Sequence, residues 1–226
     1  MSIITRRYEY NTYDKVEAGG TRKYKVGEML LPSVTTVLDK TTDKSHLVKW
    51  KQRIGEAAAK EITQEASGIG TRMHKFLEDY ISFGEWQLPG SNIYSKKAND
   101  MAKIIFDNAF YKIDEIWGQE VALYLPPLYA GTTDLICVYN GNPSICDYKQ
   151  TNKPKKEEWV ENYKMQLVAY AEAHNEVYKT SIREGHIFMC SRNLEYQQFD
   201  IWPDEYDKWA SLWYDKLYKY WEMEIG

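Results

Sequence analysis

Asp134-Leu135-Ile136-Cys137-Val138-Tyr139-Asn140-Gly141-Asn142-Pro143-Ser144-Ile145-Cys146-Asp147-Tyr148-Lys149 is two apolar runs around an Asn-Gly pair. Asn-Gly marks a two-residue hairpin, because a type I′ turn needs positive φ at both central residues. Counting outward from the turn sets Tyr139 against Asn142, Val138 against Pro143, Cys137 against Ser144, Ile136 against Ile145, Leu135 against Cys146 and Asp134 against Asp147. A four-residue loop from Tyr139 to Asn142 keeps this register; an odd-length loop would send the aspartates to opposite faces. Pro143 must take an edge or non-bonded position.

Carboxylates paired in this way have Cβ atoms roughly 4.5–5.5 Å apart and repel each other. A divalent cation would neutralise them, and carboxylate oxygens suit Mg²⁺. Strand alternation puts Lys149 on the face of Asp147. Two acids and an ammonium then converge, a set that could orient or deprotonate water or neutralise a phosphorane-like transition state. The same spacing also fits a surface hairpin in which Lys149 merely offsets the acids.

Around the hairpin, the patterning predicts strands at Val121 to Leu125, Gly131 to Tyr139, Ser144 to Lys149, Gly185 to Cys190 and Tyr196 to Trp202. Helices are expected over His46 to Glu65, Thr71 to Phe83, Tyr94 to Trp117, Glu157 to Tyr178 and Asp204 to Glu224. Ser67-Gly68-Ile69-Gly70 should separate the first two. The last carries an aromatic stripe, Trp209, Leu212, Trp213, Leu217, Tyr220 and Trp221, expected in the core. The first 30 residues read as loop or short hairpin, and Ser33 to Leu38 as a helix start or short strand. The expected fold class is α/β, a mixed central sheet flanked by helices, with an N-terminal helical region. One domain over 1–226 is expected: 1–117 mainly helical, 118–202 the sheet core with its helix, and 203–226 the C-terminal helix.

The 226 residues can bury one sizeable core. No stretch approaches the ~20 apolar residues of a membrane span. MSIITRRYEYNTYDK has neither the apolar core of a signal peptide nor the features of a transit peptide, so a cytoplasmic setting is expected. The three cysteines, Cys137, Cys146 and Cys190, include no CxxC pair. That argues against a disulfide framework and against a four-cysteine zinc or iron–sulfur site. A net charge of −4 argues weakly against nucleic acid. Basic residues nevertheless gather in Arg22-Lys23-Lys25, in Lys49-Trp50-Lys51-Arg53 and from Lys149 to Lys156. Each cluster taken alone reads better as a solvated face.

Gly131-Thr132-Thr133-Asp134 followed by Cys146-Asp147-Tyr148-Lys149 resembles the core of the PD-(D/E)XK nucleases. Gly70-Thr71-Arg72-Met73-His74-Lys75-Phe76-Leu77-Glu78 resembles the G-x-x-x-H-x-x-x-E helix of their RecB-like exonuclease branch, and Gln166-Leu167-Val168-Ala169-Tyr170 its Q-x-x-x-Y. Pro32-Ser33-Val34-Thr35-Thr36-Val37-Leu38 and Trp50-Lys51-Gln52-Arg53 are closer still to the mitochondrial genome maintenance exonucleases and their phage and bacterial relatives. The resemblance covers about Leu31 to Trp202, and motifs in this order are more specific than any one alone. Thr133 departs from the proline that names the motif, and Gln150 stands where relatives often have threonine.

The resemblance implies a restriction-endonuclease-like core. Asp134, Asp147, the backbone carbonyl of Tyr148 and His74 would hold one or two Mg²⁺ or Mn²⁺ ions, with no iron–sulfur cluster. Lys149 would be the catalytic lysine, with Gln166 and Tyr170 on the substrate side; a spacing of four independently puts those two on one helix face. Ser33, Thr35, Lys51, Arg53, Arg72, Lys153 and Lys155 are candidate DNA contacts, although Ser33 and Thr35 could equally cap a helix and Trp50 reads better as core. Glu78 is an open partner of His74. The implied activity is a DNA exonuclease on single strands or frayed ends, in replication, recombination or repair. It would work in a bacterial or phage-infected cell, away from membranes, beside single-strand-binding, replication or recombination proteins. A duplex-processing exonuclease, a structure-specific endonuclease, an RNA nuclease and a non-catalytic DNA-binding module remain alternatives.

Overall fold

The computed structural model describes Thr5 and residues 7–225. It opens with three short antiparallel strands, β1 (Asp14–Ala18), β2 (Thr21–Val26) and β3 (Met29–Pro32), where loop or a short hairpin was expected. The β1–β2 turn is Gly19-Gly20, with φ of 62° and 70°. Tyr24, Val26 and Leu31 pack on Ala130 as a small core of their own. So few buried positions in a polar stretch leave little periodicity to read.

Helix α1 (Val34–Thr41) is capped by Ser33, whose Oγ accepts from the Thr36 amide at 3.0 Å. Then α2 (Ser45–Ile54) and α3 (Glu56–Phe83) meet at Gly55, with φ of 88°. This corrects the expected break at Ser67-Gly68-Ile69-Gly70, through which α3 runs unbroken. Gly70 is there for proximity: a Cβ would come 3.2 Å from Cγ of Gln150. Nor is Trp50 core, because α2 buries none of its residues.

Helix α4 (Ile93–Ala109) ends in a 3₁₀ turn, Phe110–Lys112, and β4 (Ile113–Leu125) follows at once. The expected helix to Trp117 is therefore too long. Two register shifts in β4, between Ile113 and Glu115 and between Ile116 and Gly118, disturb its period of two. Ile113 and Ile116 then mimic helical spacing. After β5 (Tyr129–Tyr139) and β6 (Asn142–Thr151), a 3₁₀ turn at Glu157–Trp159 leads into α5 (Glu161–Tyr178). Strands β7 (Glu184–Ser191) and β8 (Tyr196–Ile201) and helix α6 (Tyr206–Ile225) complete the chain.

The main sheet has the order β4-β5-β6-β7-β8. Only β6 and β7 pair in parallel, joined through α5, so the expected mixed α/β fold is borne out. One face carries Ile136, Ile145 and Ile187 against α1, α5 and α6, where Trp209, Trp213, Leu217 and Tyr220 are buried as expected; Leu212 is exposed. The other face carries Leu135, Cys137, Tyr148 and Phe188 against Met73 and Leu77 of α3 and Ile105 of α4.

The β5–β6 register is the one counted from the turn, from Tyr139↔Asn142 to Leu135↔Cys146, and Pro143 pairs with Val138 without a bulge. Asn140 and Gly141 have φ of 47° and 84°, both positive as a type I′ turn requires. The Gly141 amide also donates to Oδ2 of Asp114 at 2.7 Å. Nothing lies within 4 Å of a Cβ placed on Gly141, so a substitution there costs conformation and not space. Gly141→Val is expected to lower the unfolding free energy by about 1–2 kcal/mol, read as a lower urea midpoint at constant m; an unchanged midpoint would contradict the turn.

Candidate active site

Three neighbouring strands bring three carboxylates level. The pairs Gln119↔Leu135 and Val121↔Thr133 put Glu120 of β4 opposite Asp134 of β5. The β5–β6 register, carried on by one residue, puts Asp147 on the other side of Asp134. In a two-residue hairpin this last position is non-hydrogen-bonded, where side chains lie closest. Hydrogen-bonded pairing stops at Leu135↔Cys146, and the Tyr148 amide donates instead to Oδ2 of Asp134 at 2.7 Å. A strand residue's N–H and C=O point to the same side. The Tyr148 carbonyl therefore faces the gap that holds Asp134, while its ring packs in the opposite core.

His74, half-buried on α3, places Nδ1 3.5 Å from Oδ2 of Asp134. Ligand atoms of His74, Glu120 and Asp134 all lie within 4.8 Å of one another. The Nζ of Lys149 contacts Oδ2 of Asp147 and sits 5.0 Å from the ring centroid of Tyr163. Oxygen donors with one imidazole suit a hard divalent ion such as Mg²⁺ or Mn²⁺.

These charges set each other. Burial pushes both aspartates up, but in Asp134 the neighbouring His74, then Lys149 and the Tyr148 amide, prevail and hold it well below the usual range. Asp147 goes the other way, raised by burial and by the Asp134 charge against the pull of Lys149. Burial would lower His74, yet Asp134 outweighs it and raises the imidazole to about 9. Lys149 is likewise raised, because Asp147 and Asp134 overcome its burial. Glu120 reaches the exposed rim, but is still pushed up by partial loss of water and by Asp134.

A pocket of about 200 Å³ holds Asp134, Asp147, Lys149, Gln166 and Tyr170 together with Glu120. Gln166 Nε2 donates to the Tyr170 hydroxyl at 3.1 Å, which confirms that the two share a face of α5. Tyr170 lies so close over β5 that a Cβ on Gly131 would be 2.5 Å from its ring. Ser33 and Thr35 line the same pocket, so Ser33 is both a cap and part of the wall. Lys153 and Lys155 line an adjoining cleft of about 360 Å³. Three other candidates are not brought here. Lys51 lines a separate cleft against α3, Arg53 is exposed on α2, and exposed Arg72 donates from Nη1 to the Gly68 carbonyl at 2.8 Å.

Glu120 went unread in the sequence, as did Lys15 and Tyr24, while Arg22 stood out only as part of a basic cluster; the last three close the pocket from the N-terminal sheet. Glu120 fell between the expected helix to Trp117 and the expected strand from Val121, which cover the first and last residues of β4. Its φ of 49° is rare for a non-glycine residue. Such strain persists where surrounding structure fixes it and often marks a functional position.

Human mitochondrial genome maintenance exonuclease 1 is 30% identical to the chain over 65% of its length and 44% of the relative's. The mouse protein of the same name is 25% identical, over 86% of the chain and 60% of the relative. The chain is similar to the mitochondrial genome maintenance exonucleases. The resemblance read from the motifs is thus borne out, and the chain spans about half the length of the curated relatives it matches. The crystal structure of SSO0001 aligns over 85% of the chain and 78% of its own, at 15% identity and a TM-score of 0.43, too distant to carry an argument. No family model matches the chain.

If these donors hold an ion, it must stabilise the folded state. Mn²⁺ at about 100 times its Kd is expected to add about 2.7 kcal/mol, seen as a rise of several degrees in the thermal midpoint. Asp134→Ala should abolish the rise and Glu120→Gln reduce it. An equal rise in Asp134→Ala would place the ion elsewhere.

Proposed function

We propose that the chain is a DNA exonuclease of the PD-(D/E)XK type, dependent on Mg²⁺ or Mn²⁺ and acting on single strands or frayed ends. The observation that carries this reading is the convergence of Asp134, Asp147 and Lys149 in one pocket beside His74. The names of the similar proteins give it independent support. Asp134, Asp147, His74 and the Tyr148 carbonyl are the ligands in this reading, with Glu120 added by the structure. A bound divalent ion would supply Lewis acidity toward water and a phosphoryl oxygen.

The chain's own residues do the rest. The Tyr148 amide fixes the Asp134 carboxylate. Lys149 enters as an ammonium, since both aspartates raise its pKa. It is suited to stabilise charge growing on a phosphoryl oxygen. Gln166 and Tyr170, joined by a hydrogen bond, offer polar groups to the substrate from the same pocket. Ser33 and Thr35 offer hydroxyls to the strand, and Lys153 and Lys155 attract its backbone. The setting proposed is replication, recombination or repair, beside single-strand-binding or recombination proteins. No described helix is long and apolar enough to cross a membrane.

Lys149→Ala is expected to lower the cleavage rate roughly 10²–10³-fold or more, and Asp147→Ala to abolish it, both with oligonucleotide binding largely kept. Full activity in both variants would refute the assignment. A labelled linear single strand should be degraded while the same sequence closed into a circle survives. Equal cutting of the circle would establish an endonuclease instead.

A further inference from the structure

The adjoining cleft lies beside the pocket. Its lining includes Gln150, next to Lys149, and Tyr163, over whose ring the Lys149 ammonium lies. Ala66 of α3 lines it too, and Lys153, Lys155 and Trp159 come from the connection between β6 and α5. That connection is held at several points. Thr151 Oγ1 donates to the Lys153 carbonyl at 2.8 Å, and the Thr151 carbonyl accepts from the Arg192 amide at 2.9 Å. Gln197 of β8 clamps Lys155, accepting from its amide at 2.7 Å and donating to its carbonyl at 2.9 Å. Val160, the next residue after Trp159, is fully buried.

On this pinned segment Trp159 is 55% exposed. Among the described residues its ring stacks on no other aromatic, and the one cation over it is the Lys156 ammonium, 5.5 Å from the ring centroid. Its surroundings are basic: Lys153, Lys155 and Lys156 stand close in sequence, while Glu157 is engaged by buried Lys164 and Glu158 lies 3.9 Å from Lys156. A fixed aromatic face among ammonium groups, beside a phosphate-handling site, matches one chemistry: a base stacked on the ring with its backbone phosphates on the lysines. An acidic peptide would use the lysines but has no need of an exposed indole in the cleft beside Lys149.

Resting on the nuclease reading above, we propose that Trp159 is a base-stacking platform for single-stranded DNA next to the scissile phosphate, and that it supplies the preference for unpaired strands. An unpaired base offers its face to the ring, whereas in the interior of a duplex both faces are already stacked.

The test is binding of a labelled oligothymidylate in EDTA, where cleavage stops. Trp159→Ala should bind about tenfold more weakly, with Trp159→Phe close to native, since a stacked base contributes about 1–3 kcal/mol. Trp159 is exposed, so its thermal midpoint should be unchanged. An abasic nucleotide at the contacted position should weaken native binding to a similar degree and add nothing to Trp159→Ala. Duplex closed into a circle, which has no free end, should bind native and Trp159→Ala alike. Native affinity in Trp159→Ala, or an abasic penalty undiminished in it, overturns the proposal. If that happens while native protein still cleaves in Mn²⁺, the nuclease reading survives; if native protein neither binds nor cleaves single strands, both fall.

Discussion

Asp134 and Asp147 face each other across the β5–β6 hairpin at its closest kind of position, and their repulsion is the constraint around which the site is organised. Two unit charges some 5 Å apart repel by on the order of 3 kcal/mol at an effective dielectric of 20. His74 and Lys149 each lie against one of the pair, and the Tyr148 amide is spent on Asp134 in place of a ladder bond. Glu120 adds a third acid at the rim, within ligand distance of His74 and Asp134, and Lys15 and Arg22 line the same pocket.

The packing of the molecule serves to hold this arrangement. Helix α3 brings His74 to the sheet because Gly70 allows it to approach β6 at Gln150. Helix α5 brings Gln166 and Tyr170 to the other wall because Gly131 leaves room for the tyrosine ring. The same strands whose outward residues are Leu135 and Tyr148 on one core and Ile136 and Ile145 on the other carry the acids near their middles. A shift of one residue in β6 would exchange those two sets and take Asp147 out of the pocket. Stability of the core and geometry of the site are therefore set by one register.

That register was legible because Asn140-Gly141 is a local signal with a backbone cause. Asp134, Asp147 and Lys149 follow from it by counting, and the motifs added His74, Gln166 and Tyr170. What was illegible has physical reasons of the same kind. The shifts in β4 broke the alternation that would have revealed a strand, and Glu120 was hidden with it. Gly68 and Gly70 look like a helix break in sequence, yet Gly70 answers to a neighbour 80 residues away, at Gln150. The polar N-terminal strands bury too little to show a pattern, and the contribution of Arg22 and Lys15 depends on where that small sheet docks. Trp159 carries no motif at all; its meaning lies in the segment pinned beneath it.

The measurement that bears most directly on this account is anomalous scattering from crystals soaked in Mn²⁺. The expected result is a peak within about 2.1 Å of oxygens from both Asp134 and Asp147, near the bond length of a hard divalent ion, with the Tyr148 carbonyl and His74 at its edge. Absence of a peak between the two aspartates at saturating Mn²⁺, or a peak held by other carboxylates alone, would contradict it.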